Sequence, residues 1–329
     1  MTGFEEFNDK IKNNIEKYVN ENPKVKEFSE YLLLDKSLTT TQSYLYIVND
    51  FIKYINKDCD ALTSMDFISY INYVKYKSNG VEKESSSIIT IYHALKNYGE
   101  YLKEKGYYAT NLMENVKRPK KKESQRTLQK REKGFLTKEE IKEIIKCVKE
   151  GVGSDKAKSY QSKMKERDLA IIILFLTTGI RVSAMVKLDV DNIHLVDNTM
   201  TLTEKGSIVR TYQLSQQTIN VLIAWMIKRE ELLGKNSNEK ALFLNQYNNR
   251  MQHYGFSEII TKYTINIEGK HITPHKLRAT YGTQLYEATK DIYFVQKAMG
   301  HSSPTTTERY IRGQQNTTKK ASDIMESLL

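Results

Sequence analysis

Apolar residues in the first hundred positions recur at three- and four-residue steps. Tyr44, Ile47, Val48, Phe51, Tyr54 and Ile55 form one such stripe, and Ile88, Ile91, Leu95, Tyr98 and Leu102 form another. Each segment is therefore expected to be a helix with one buried face. Thr63 precedes a third candidate, Asp66 to Lys77, which Asn79 and Gly80 are placed to end. Helices of these lengths, joined by short polar turns from about Phe4 to Gly106, predict a compact helical bundle.

The pattern then breaks. From Lys117 to Lys133 there is no apolar periodicity, and nine basic residues stand against two acidic ones. An extended basic linker is expected here. Periodicity resumes at Thr137 and Glu140, a capping box before an amphipathic helix. Gly151 to Ser162 is small and polar and is expected to be a surface loop, whereas Arg167 to Thr177 predicts a buried helix. Beyond it the period changes to two: Met200, Leu202 and Ile208 to Leu214 alternate with polar residues around Lys205-Gly206-Ser207, a β-hairpin. Helices are expected again at Gln217–Leu233, Gly255–Tyr263, Pro274–Ala288 and Ile292–Met299. The fold class is mainly α with a small β-hairpin or sheet, in two domains: 1–116, a linker over 117–134, and 135–329.

Composition narrows the partners. The 329 residues carry 51 Lys plus Arg against 40 Asp plus Glu, a net charge of +11. Such a surplus suits a polyanionic partner. Mean hydropathy is −0.58, and no apolar run approaches the ~18–20 residues that span a bilayer, so a cytoplasmic protein with no membrane partner is expected. The two cysteines, Cys59 and Cys147, are too few for a disulfide framework and match no metal-ligand spacing.

Several polar residues sit where chemistry is possible, although each alone has an ordinary reading. Thr273 and Pro274 fit a helix cap and first turn, which puts His275 and Arg278 on one face near an anion-favouring N-terminus. Gly300 suits the left-handed residue that ends a helix, with His301 on the turn beyond. Arg181 follows the buried helix directly, either as a surface charge or as a cation held at the rim of a core. Tyr310, one of 22 tyrosines, would by itself be a packing residue.

Together these segments resemble a known family. Thr178-Gly179-Ile180-Arg181-Val182-Ser183, His275-Lys276-Leu277-Arg278, Gly300-His301 and Tyr310 are similar, in order and spacing, to the catalytic boxes of tyrosine recombinases and phage-type integrases. The likeness covers about Leu136 to Tyr310, and the helical first domain is compatible with the family's core-binding domain. The resemblance makes Lys205, at the hairpin tip, the family's catalytic lysine. Two positions depart from the pattern: Glu204 precedes Lys205 where the family often has Gly, and Ala184 stands where relatives commonly carry an acidic residue.

The resemblance implies a site-specific recombinase that works through a 3′-phosphotyrosyl bond and a Holliday junction. Arg181 and Arg278 would bind the non-bridging oxygens of the scissile phosphate, and Tyr310 would attack it. His275 would accept the phenolic proton and His301 would bind phosphate, or the two would exchange roles. Lys205 would protonate the leaving 5′ oxygen. With guanidinium groups stabilising the charge, no metal and no other cofactor is expected. The implied partners are duplex DNA with inverted-repeat sites, further copies of the chain in a tetramer or paired dimers, and accessory proteins. Association with the nucleoid follows from that. Lys117, Arg118, Lys120, Lys121 and Lys122 would follow the phosphate backbone. The apolar stripe Ala321, Ile324, Met325, Leu328 and Leu329 would dock on a neighbouring subunit or pack on its own domain. A relaxing topoisomerase or telomere resolvase would use the same residues; an inactive DNA-binding regulator would be expected to lack one of them.

Overall fold

The computed structural model describes residues 3–77, 85–120, 134–203, 209–234 and 237–300. They fall into two compact units, each with its own hydrophobic core.

The first unit consists of helices α1 (Gly3–Glu21), α2 (Lys26–Leu33), α3 (Leu38–Ile55), α4 (Ser64–Tyr76) and α5 (Ser85–Glu104). Local sequence sets their ends. The hydroxyl of Ser37 accepts the Thr40 N–H at the start of α3, and the Thr63 N–H donates to Asp66 at 2.8 Å at the start of α4. Most of the expected apolar positions face inward, with Val48, Phe51, Leu95, Tyr98 and Leu102 fully buried, but Tyr54 is exposed, and Leu45, outside the expected stripe, is buried in its place. The core is rich in aromatics, with Phe51 and Phe67 centred 4.8 Å apart and Phe28 edge-on to Tyr98 at 5.1 Å. Its tyrosine hydroxyls find partners, Tyr70 donating to Asp50 at 2.8 Å and Tyr92 to the Val116 carbonyl at 3.1 Å, whereas the buried Thr41 hydroxyl on α3 has none among the described residues. Asn79 and Gly80 lie outside the described residues.

The second unit opens with α6 (Lys138–Glu150), held at its start by the reciprocal bonds of Thr137 and Glu140 at 2.8 and 3.2 Å. The segment expected to be a surface loop is instead a helix over most of its length. After the turn 151–154, α7 (Asp155–Ser162) is capped by Ser154, and the Gln161 amide closes on the Val152 backbone at 2.9 and 3.0 Å. The small polar residues that suggested a loop form a cap and a solvent face.

At the centre lies α8 (Lys165–Thr178), whose Ile171, Ile172, Leu174 and Phe175 are fully buried. It packs against α6, α10 (Gln216–Leu233) and α12 (Pro274–Thr289). Between them in the chain come α9 (Val182–Val186) and α11 (His253–Tyr263), which contribute to the same core, and α13 (Ile292–Met299) follows α12 and packs on it. The alternating segment forms strands β2 (Thr199–Thr203) and β3 (Val209–Gln213), antiparallel with Leu202 opposite Arg210. A short strand not expected from the sequence, β1 (Ile193–His194), adds to β2 on its other side. Among the described residues no helix is long and apolar enough to cross a membrane.

Candidate active site

Arg181 is placed by the way α8 ends. Gly179 takes the left-handed conformation, φ 58°, that closes a helix, and its N–H returns to the Phe175 carbonyl at 3.0 Å. Ile180 is then pinned in the core, fully buried. Arg181, extended and exposed, becomes the N-cap of α9, its carbonyl accepting the Ala184 and Met185 N–H groups. Ala184, in the position where the family pattern has an acid, packs against the hydrophobic core.

His275 and Arg278 are placed by the start of α12. Thr273 caps it, accepting the Lys276 N–H, and Pro274 occupies its first turn. One turn of helix then brings His275 and Arg278 to the same face. Arg278 is buried, and its two terminal nitrogens reach in different directions, one to the Gly179 carbonyl and the other to the Met299 carbonyl at 2.5 Å.

The third component is the C-terminal end of α13. Gly300 adopts φ 62° and ends the helix in the left-handed conformation. The last carbonyls of a helix have no partner within it and carry its partial negative charge. Here arginines from three elements meet them. Arg278 reaches Met299, Arg181 reaches Gly300 at 3.4 Å, and Arg210 on β3 reaches Lys297 at 2.8 Å and Ala298. Arg181 and Arg278, separated by nearly a hundred residues, are thus joined at adjacent peptide groups.

His275 lies in the field of this cluster. Its side chain is exposed, yet desolvation by the surrounding atoms, then the charges of Arg278 and Arg181, push its pKa below the usual histidine value. The ring is therefore neutral near pH 7 and able to accept a proton. Tyr281, one turn beyond Arg278, rests its ring on Gly179: a methyl group there would stand 2.3 Å from the Tyr281 ring. Burial raises the Tyr281 pKa, and Arg210 and Arg278 oppose the rise.

Of the residues expected from the sequence, Arg181, His275 and Arg278 are brought together. Lys205, His301 and Tyr310 lie outside the described residues, as do Lys121, Lys122 and the stripe from Ala321 to Leu329. Lys117, Arg118 and Lys120 are exposed in the first unit, where Arg118 and Lys96, after burial, lower the pKa of His93 on α5. Sequence reasoning missed Arg210 and Tyr281. A signal existed for the first, since Arg210 and Tyr212 alternate on the less exposed face of β3. Among the described residues no group of three His, Cys, Asp or Glu could hold a metal ion.

Comparison with known proteins places this geometry in context. The profile described as the phage integrase family matches residues 134–317, more than half of the chain. A curated relative, tyrosine recombinase XerS of Streptococcus agalactiae serotype III (strain NEM316), is 31% identical over 286 residues, covering 80% of each chain. XerS of Streptococcus mutans serotype c (strain ATCC 700610 / UA159) is 29% identical, covering 90% of this chain and 93% of the relative. Two solved structures share the fold. XerH site-specific recombinase bound to palindromic difH substrate, a post-cleavage complex, has a TM-score of 0.69 at 19% identity, covering 96% of this chain and 89% of that one. A lambda integrase dimer bound to a COC′ core site has a TM-score of 0.62 at 17% identity, covering 88% and 77%.

Proposed function

Because the chain belongs to the phage integrase family, we propose that it is a tyrosine-type site-specific DNA recombinase whose nucleophile is Tyr310 and whose phosphate-binding groups are Arg181 and Arg278. The observation that carries the assignment is the meeting of those two guanidinium groups at the Met299 and Gly300 carbonyls, with His275 beside them. The chain continues directly from that point to His301 and, nine residues later, to Tyr310.

The chemistry follows from these residue types. A phosphodiester repels nucleophiles, and more charge gathers on its non-bridging oxygens as the phenol oxygen attacks. Guanidinium groups donate paired hydrogen bonds to such oxygens. Neutral His275 accepts the phenolic proton and His301 binds phosphate, Tyr310 bonds to the 3′ phosphorus, and Lys205 gives a proton to the departing 5′ oxygen. The phosphotyrosyl bond keeps the energy of the broken linkage, so a 5′ hydroxyl can reverse it without ATP. Two pairs of such exchanges, the first forming a Holliday junction and the second resolving it, recombine two duplexes.

The partner is duplex DNA with inverted-repeat sites, bound by a tetramer or paired dimers, with accessory proteins where the site demands them. The basic run from Lys117, Arg118 and Lys120 through Lys121 and Lys122 follows the phosphate backbone, releasing counterions. The exposure of its first residues, and the positive field that Arg118 and Lys96 both place on His93, support that role. This run joins a core-binding domain over 1–116 to a catalytic domain over 135–329, whose tail stripe Ala321 to Leu329 docks on a neighbouring subunit.

The test is covalent capture. A duplex is selected from a random-sequence pool by the protein's own binding, then nicked near its centre so that cleavage cannot be reversed. Wild type is expected to form a protein–DNA adduct that survives denaturation, and Tyr310→Phe to bind the duplex but form none. An adduct persisting in the Phe variant would show the nucleophile to be another residue.

A further inference from the structure

Arg210 has no part in the chemistry described so far, yet it reaches the same helix end as the two phosphate-binding arginines. It lies on β3 opposite Leu202, with its guanidinium carbon 4.9 Å from the centre of the Tyr212 ring. One of its terminal nitrogens donates to the carbonyls of both Lys297 and Ala298. The next two carbonyls, those of Met299 and Gly300, receive Arg278 and Arg181. Four successive peptide groups are therefore met by three guanidinium groups from β3, α12 and the start of α9.

A helix C-terminus attracts cations, and a guanidinium nitrogen with two N–H groups can donate to two successive carbonyls, as Arg210 does here. Arg210 is anchored on the strand by its ring contact and so holds the end of α13 from the sheet side. Arg181 and Arg278 take their directions from that same end. Tyr281 completes the cluster, lying within the fields of Arg210 and Arg278 and against Gly179, the residue whose carbonyl orients the other arm of Arg278.

We propose that Arg210 is a positioning residue: it fixes the last turn of α13 against the sheet and so holds Arg181 and Arg278 in the orientation that receives the scissile phosphate. The proposal rests on the reading of those two arginines as phosphate-binding groups. It assigns Arg210 no contact with the reacting atoms.

The experiment compares wild type, Arg210→Ala and Arg210→Lys on the selected nicked duplex, measuring DNA affinity and the single-turnover rate of adduct formation. Arg210→Ala is expected to form adduct about 10–100-fold more slowly, the range typical of residues that orient a functional group, with DNA affinity unchanged. Lysine, with one compact ammonium group in place of the fork, should restore only part of the rate. A second substrate carries a methylphosphonate at the scissile position, where an uncharged methyl group replaces one non-bridging oxygen. Having less charge to be met by the arginines, it should shrink the Arg210→Ala deficit.

Wild-type rates in Arg210→Ala, a parallel loss of DNA affinity, or an undiminished deficit on the methylphosphonate would each overturn the proposal. Should the alanine variant fail to fold, Arg210→Lys carries the same comparison. Failure of the wild type itself to form adduct would overturn the reading of the site, a result distinct from any of these.

Discussion

The second unit holds arginines in two different ways. On the side of α8 near α11, Arg167 donates through two nitrogens to one oxygen of Asp168, at 2.9 and 2.8 Å, while Lys262 and the Tyr263 hydroxyl meet the other oxygen at 2.7 and 2.9 Å. Arg250 likewise meets Asp189 at 2.6 Å and spans the Val186 and Leu188 carbonyls. At the end of α13, by contrast, Arg181, Arg210 and Arg278 meet backbone carbonyls. A carboxylate supplies a formal countercharge; a backbone carbonyl supplies a dipole that fixes the direction of a guanidinium. The first arrangement is suited to closing a core, and the second to orienting several guanidinium groups at one shared helix end.

The largest effect expected from this contrast is on folding. Asp168 is fully buried, and Asp168→Ala would leave Arg167 and Lys262 facing each other without the carboxylate between them. Breaking a buried ion pair from one side typically costs about 3–5 kcal/mol. Urea unfolding should show a loss of that order. A variant within about 0.5 kcal/mol of wild type, the usual range for surface changes, would mean that the two classes of arginine differ less than their partners suggest.

Arg181 should behave in the opposite way. It is exposed, so Arg181→Ala is expected to unfold within about 0.5 kcal/mol of wild type. Adduct formation should nevertheless fall about 10²–10³-fold, as when one preorganised donor is removed from a charged transition state. If stability fell while the single-turnover rate held, Arg181 would belong with the core arginines.

Gly179 lies where the two demands meet. Its left-handed backbone and its contact with the Tyr281 ring both exclude a side chain. Gly179→Ala should cost at least about 1–2 kcal/mol from the backbone alone. It should also slow adduct formation, because the Gly179 carbonyl orients Arg278. Unfolding and adduct assays on the same preparation measure the two effects separately; a stability loss with an unchanged rate would detach Gly179 from the site.

How much of this was legible in the sequence depends on the range of each interaction. The Thr137–Glu140 box, the Thr273 cap with Pro274 and the terminating Gly300 act within a few residues, so local spacing predicts them and the helices they bound. The apolar stripes of α3 and α5 are legible for the same reason. The contacts of Arg210 with α13 cross 87 and 88 residues, and that of Arg181 with Gly300 crosses 119. No local period encodes such a meeting. The family resemblance supplied Arg181 and Arg278 in advance, but nothing in it pointed to Arg210. The segment that forms α7 is misread for a different reason: Ser154 reads equally well as a turn residue or a helix cap, and only the closure of Gln161 on Val152 decides between them.

The smallest expected effect concerns pH, and it tests whether the arginine cluster acts on its neighbours through charge. The pKa of His275, though its side chain is exposed, is lowered in the folded protein by partial desolvation, then by Arg278 and Arg181. Unfolded, it titrates near the ordinary value of about 6.5. Between that value and the lower folded one, the unfolded chain binds more protons, so stability rises with pH across this window. The contribution is complete above about pH 6.5 and is lost as pH falls through the folded pKa. The catalytic counterpart is an acid limb of adduct formation that lies below pH 6.5, since His275 must be neutral to accept the phenolic proton. Removing one nearby cation should relax the depression, so Arg181→Ala should move that limb toward higher pH while lowering the plateau. A limb that stays in place would mean that the Arg181 charge is not felt at the proton acceptor, and the role of base would then pass to His301.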